Sequence, residues 1–262
     1  MMINARCLRA RGIDPILIKG WAAGRHYAAS TLRPSGDIDI CVAPEEMPEA
    51  QEVVSKRRSG SHAVDLYHEE IALLDSSDFD DLAQHAETVS LAGDNVRVLG
   101  AEDNLRILCL YVLKHGAWRA VWLCDIAAAP EARRKDFDWD RCLGTGTPRA
   151  NWVLSVLGLA HELLGADSTG TPAETVTGRL PGWFVDCVLK EWNRTDLPTQ
   201  PKFVSQVTRV RRPAAVFEML RKRRPNRIQA TIDARGNFDD RSPLPFQVRQ
   251  GLVRFGKLLS SR

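Results

Sequence analysis

Asp37 and Asp39 stand two residues apart in the run Gly36-Asp37-Ile38-Asp39-Ile40. On a β-strand, the period of two puts both carboxylates on one face with Cys41, and Ile38, Ile40 and Val42 on the other. Like charges held that close repel unless a cation lies between them. Hard carboxylate oxygens suit Mg2+ or Mn2+, and Mg2+ takes one or two carboxylates together with substrate phosphates. Two such ions about 3.5–4 Å apart can activate an attacking oxygen and stabilise a leaving one in an in-line displacement at phosphorus. A third carboxylate is needed to complete such a site. Asp65, in Val64-Asp65-Leu66, is the candidate, because an Asp in mid-strand is otherwise unfavourable.

A D-x-D pair alone also occurs on surface strands and turns, so its neighbours must carry the argument. Lys19-Gly20 closes a short apolar run and opens a helical one, a junction whose backbone N–H groups suit a triphosphate. Arg33 offers a planar fork for phosphate just upstream of the acids. Gly36 ends the turn Arg33-Pro34-Ser35-Gly36 that delivers the chain into the acidic strand. The expected set is Asp37, Asp39 and Asp65 for metal and catalysis, with Lys19, Gly20, Arg33 and Gly36 for nucleotide.

These residues need a sheet to hold them. Ile16–Lys19 reads as a buried strand after the turn Gly12-Ile13-Asp14-Pro15, followed by a short helix over 21–29. Strands are expected at 37–42 and 62–67, with 71–74 pairing the latter. Helices are expected at 44–58 and 78–85. Residues 88–91 and 96–99 flank Gly93-Asp94-Asn95 as a hairpin. The N-terminal part looks short, so a leading helix is expected to be missing and no element is placed before residue 12. From Glu102 the apolar spacing changes to three and four, through Leu105, Leu108, Cys109 and Val112. Further helices are expected at 119–128, 150–164, 182–193, 213–223 and 244–259, with loops at 129–149, 165–181 and 195–212. The fold class is therefore α+β: a small mixed sheet with flanking helices over 1–100, then an all-helical part over 101–262.

Composition sets limits. Of 262 residues, 44% are hydrophobic and 26% charged, enough to bury a core. None of the six cysteines forms a C-x-x-C pair, so free buried thiols are expected rather than disulfides or zinc. The N-terminus has no apolar signal stretch and no window reaches membrane-spanning length, which predicts a cytoplasmic protein with no membrane partner. Residues 201–262 hold 15 Lys/Arg against 4 Asp/Glu, while the rest of the chain is net −8. That asymmetry fits either an anionic partner or a solvated basic face.

Several side chains admit two readings. His115, Trp118, Arg119, Trp122 and Asp125 lie at helical spacing, facing a nucleotide or acceptor, or packing a core. His26-Tyr27 could stack a base or pack a helix on the sheet. Arg221-Lys222-Arg223-Arg224 could meet phosphate, but no interleaved aromatics support base stacking. His161-Glu162 lacks the second His of a zinc helix.

Taken together, Ile18-Lys19-Gly20, Tyr27, Arg33-Pro34-Ser35-Gly36-Asp37-Ile38-Asp39-Ile40-Cys41-Val42 and Val64-Asp65-Leu66 resemble an uncharacterised nucleotidyltransferase group of the DNA polymerase beta-like superfamily. The stretch through Glu102-Asp103, His115, Trp118-Arg119, Trp122-Leu123 and Asp125-Ile126 is similar to that group's helical region, so the resemblance spans about residues 10–165. Two positions depart from the pattern. Trp21 follows Gly20 where a small residue is usual, and Tyr67 stands where His is frequent. The resemblance implies Mg2+-dependent transfer of a nucleoside monophosphate from a nucleoside triphosphate to an acceptor, and occurrence among bacterial peptide natural-product clusters. The acceptor, whether peptide, small molecule, protein or RNA, stays open. A sugar transferase holding a nucleotide-sugar through its D-x-D, and a non-catalytic nucleotide- or partner-binding protein, are the competing expectations.

Overall fold

The computed structural model describes residues 2–29, 32–33, 36–56, 63–67, 78–91, 93–147, 149–194, 226–238 and 243–260. Five strands form one mixed sheet: β1 Ile16–Leu17, β2 Asp37–Cys41, β3 Ala63–Tyr67, β4 Glu87–Leu91 and β5 Asp94–Val98, in the order β3-β2-β1-β5-β4. β2 runs parallel to β3 and antiparallel to β1; β5 is parallel to β1 and antiparallel to β4. The hairpin expected around Gly93 is β4–β5, with Gly93 at φ 83°, a backbone that side chains resist.

The alternation in β2 does what its sequence dictates. Ile38, Ile40 and Val42 join Leu17, Val96 and Val98 on one face of the sheet. That face is covered by Ala5 and Leu8 of α1 (Met2–Arg9) and by Met47 and Ala50 of α3 (Met47–Ser55). Val64 and Leu66 of β3 pack on the same cluster, which turns Asp65 to the other side. Trp21, in α2 (Lys19–Gly24), is partly buried and also packs against it.

After β5 every described element is helical. These are α5 Ala101–Lys114, α6 Ala120–Glu131, α7 Trp139–Leu143, α8 Ala150–Leu164, α9 Gly182–Trp192, α10 Arg227–Asp233 and α11 Leu244–Ser260, with a short 3-10 helix, Pro172–Thr175, inside the expected loop 165–181. α4 (Phe79–Gln84) precedes them, capped by Asp78. The molecule is thus α+β, with a mixed sheet and a helical C-terminal part. The chain separates into two compact units: Met1–Tyr111 with Val121–Leu180, and Val112–Ala120 with Pro181–Arg262. In the second, Phe184 meets Trp183 and Phe238 edge-on, with ring centroids 5.8 and 5.2 Å apart.

Some local expectations fail for identifiable reasons. α1 occupies the leading segment where no element was expected. α7 lies inside the expected loop 129–149. It has five residues, too short to show a period, and its only marks are the cap Asp138 and Gly144 at φ 64°. α10 was missed for the same reason; Asn226 caps it. α6 carries Pro130 in its last turn, beyond the expected end at 128. The expected strand 71–74, the helix 213–223, the loop 195–212, His68 and the basic run 221–224 fall outside the described residues. All six cysteines are free, and Cys41, Cys109, Cys142 and Cys187 are buried. Among the described residues, no helix is long and apolar enough to cross a membrane.

Candidate functional site

The three acids share a face of the sheet through strand register. Asp39 of β2 stands directly opposite Asp65 of the parallel strand β3, and Asp37 stands opposite Ala63. Paired residues on parallel neighbours point to the same face, and the strands lie about 4.8 Å apart. Asp37, two residues before Asp39, adds a third carboxylate to that face about 6.6 Å along the strand. Asp37 and Asp65 are exposed, whereas Asp39 is 8% exposed. Burial pushes the Asp39 carboxyl above its ordinary range, Lys19 pulls it back, and Asp37 pushes it up again.

Lys19 is the residue that sequence spacing could not place. It leaves β1 in a left-handed conformation, φ 51°, rare for a residue with a side chain. Its N–H donates to Asn104 Oδ1 at 3.1 Å, and Asn104 is fully buried on α5. This bond pins the strand-to-helix turn and occupies one backbone donor of the Lys19-Gly20 junction. The Lys19 Nζ lies 3.4 Å from Asp39 Oδ1 and is 3.4 Å from the centre of the Tyr67 ring and 4.4 Å from that of Tyr111. The Tyr67 hydroxyl reaches Asp65 Oδ2 at 3.5 Å and also bonds Asp39. Burial, then the neighbouring carboxylates, raise the Tyr67 phenol far above its ordinary range.

Arg33 is engaged in a different manner. Its Nε and Nη2 fork onto Asp125 Oδ1 and Oδ2 at 2.7 and 2.9 Å, and the Tyr27 hydroxyl adds a third donor at 2.8 Å. Asp125, on α6, is fully buried. Arg33 therefore ties the turn before β2 to α6, with two of its nitrogens committed there, while still feeling the charge of Asp37. Tyr27 is used as a hydrogen-bond donor. Gly36 leads into β2, and a Cβ built there meets nothing within 4 Å, so its position is not sterically reserved for glycine. Gly20 is the second residue of α2.

The row His115 to Asp125 does not share one helix. α5 ends at Lys114, and Gly116 and Ala117 at φ 70° and 57° break it before α6 begins at Ala120. Trp122 packs edge-on against Tyr111 at 5.0 Å, and the Arg119 guanidinium lies 4.4 Å from the Trp118 ring.

The donor set fits a hard divalent ion: three carboxylates on one face of two paired strands, two of them open to solvent. Among the described residues no three acidic, His or Cys side chains are gathered tightly enough to form a finished site, and the Asp39 carboxylate lies on Lys19 instead. Asn104, Tyr67 and Tyr111 were not anticipated. Asn104 and Tyr111 are seven residues apart on α5, hence on one helix face, and that spacing was the available signal.

The family model described as uncharacterised nucleotidyltransferase matches residues 4–70 and 54–165. No curated protein matches the chain.

Proposed function

The chain belongs to the uncharacterised nucleotidyltransferase family, and on that premise we propose that it transfers a nucleoside monophosphate from a nucleoside triphosphate to an acceptor hydroxyl or phosphate. The observation that carries this reading is the register Asp39 opposite Asp65, with Asp37 on the same face. Asp37, Asp39 and Asp65 would hold Mg2+ or Mn2+, which supplies charge neutralisation at the triphosphate and lowers the cost of ionising the acceptor. Asp65, exposed beside the pair, accepts the acceptor's proton. The acceptor oxygen forms a bond to the α-phosphorus, the bond from that phosphorus to the bridging oxygen breaks, and pyrophosphate leaves. Lys19 and the Gly20 backbone bind phosphate oxygens. Gly36 lets the turn approach the nucleotide, and Arg33, forked onto Asp125, sets that turn beside Asp37.

Residues 1–100 form the catalytic core in this reading, and residues 101–262 select the acceptor. The setting is the bacterial cytoplasm, with modification of a peptide natural product the leading use. Asp37→Ala tests the assignment: transfer should vanish while the circular dichroism spectrum stays unchanged. Undiminished transfer in that variant rejects it. Release of a nucleoside diphosphate would mark a sugar transferase instead. Absence of nucleotide binding in a calorimetric titration would mark a protein that keeps the fold without turnover.

A further inference from the structure

Asp39 already has a cation. The Lys19 ammonium sits 3.4 Å from Asp39 Oδ1, and the two side chains are only 4% and 10% exposed. Tyr67 and Tyr111 present their rings to the same nitrogen at 3.4 and 4.4 Å, an arrangement in which ring faces attract a cation. The left-handed turn at Lys19, held by Asn104, fixes where this side chain leaves the backbone. Yet the contact to Asp39 is longer than the roughly 2.7–2.9 Å of a tight charge-assisted bond. The ammonium neutralises the carboxylate through a long contact, and the Tyr67 hydroxyl is its second donor. A divalent ion and an ammonium at the same carboxylate repel, so each weakens the other's hold on it.

We propose that Lys19 is a built-in counter-cation that competes with the divalent ion for Asp39 and yields it when a triphosphate arrives. The inference rests on the preceding reading that Asp37, Asp39 and Asp65 hold the ion. Without metal, the ammonium lets a buried carboxylate stand beside Asp37. An entering triphosphate offers the ammonium other anionic oxygens. Lys19 moves to them, and the Asp39 carboxylate becomes free to turn toward the ion. Ion and triphosphate therefore assist each other's binding, and linkage makes the assistance equal in both directions. The device keeps the site from holding a divalent ion when no substrate is present.

The test is a Mn2+ titration followed by the paramagnetic resonance signal of free Mn2+. It is run with and without a non-hydrolysable α,β-methylene nucleoside triphosphate, on the full chain and on Lys19→Met. Lys19→Met is expected to bind Mn2+ alone about tenfold more tightly than the parent, and to lose the gain that the analogue confers on the parent. Its melting temperature should fall without Mn2+ and recover with it, which reads the same competition if the variant folds poorly. Tyr111→Leu removes one ring and keeps the lysine, so its Mn2+ affinity should lie between the two. If the parent binds Mn2+ with the analogue and Lys19→Met binds Mn2+ no more tightly, the competition is overturned and the three-acid site stands. If no form binds Mn2+ even with the analogue, both readings fall.

Discussion

Two of the buried carboxylate–cation pairs among the described residues, Asp125–Arg33 and Asp39–Lys19, share a chemistry and differ in completeness. Asp125 is fully buried and takes three short hydrogen bonds, two from the Arg33 fork and one from Tyr27. Asp39 takes the Lys19 ammonium at 3.4 Å and the Tyr67 hydroxyl, and borders two exposed acids. The first pair is a closed lock between the turn before β2 and α6. The second sits beside two exposed acids, and under the proposed competition its cation is replaceable. A buried charge with every lone pair satisfied stabilises a fold, and one with a replaceable partner can take part in chemistry.

Substitutions at the two places should therefore separate activity from stability. The largest effect expected is on turnover. Asp65→Asn should lower transfer by a factor on the order of 10³. Because Asp65 is exposed, the unfolding free energy should move by less than about 0.5 kcal/mol, a split that steady-state assays and urea titration would read. Asp125→Ala should do the reverse. It strands the Arg33 guanidinium and should cost about 3–5 kcal/mol in urea unfolding, while activity per folded molecule falls far less than in Asp65→Asn. Loss of turnover greater than loss of fold at Asp125 would erase the distinction.

Two smaller effects sharpen it. Asn104→Ala removes the partner of the buried Lys19 N–H and frees the left-handed turn, so a cost of about 2 kcal/mol is expected, together with weaker nucleotide binding. His26 borders the closed lock, since Asp125 is among the charges it feels, and burial lowers it to about 4 from its ordinary value of 6.5. The unfolded chain binds this proton first, so its contribution is intact above pH 6.5 and is lost as pH falls toward 4. At pH 5 the loss should be on the order of 1–2 kcal/mol, and His26→Gln should flatten that part of the stability profile in denaturant titrations.

Much of the acid face could be read from the chain, because strand alternation is a strong local signal. Asp37 and Asp39 share a face by period alone, and the β4–β5 hairpin is marked by Gly93. The two long helices α5 and α8 follow from their apolar spacing. What could not be read is what the acids and Arg33 touch. Lys19 and Asp39 are twenty residues apart, and their meeting depends on a turn conformation that Asn104 imposes from 85 residues away. Arg33 reads locally as an open phosphate fork, yet Asp125, 92 residues on, claims two of its nitrogens. The short helices α7 and α10 are too brief to show a period, and only their caps betray them.

The central claim is that three carboxylates on neighbouring strands serve nucleotidyl transfer, and a product balance tests it most directly. Nucleoside triphosphates labelled at the α-phosphorus would be incubated with Mg2+ and candidate acceptors, and the adduct and the released phosphates counted by mass. The account predicts one labelled nucleoside monophosphate on the acceptor for each pyrophosphate released, and neither from Asp37→Asn or Asp65→Asn. Adduct formed at the parent rate by those variants, or label leaving as a nucleoside diphosphate, would contradict it.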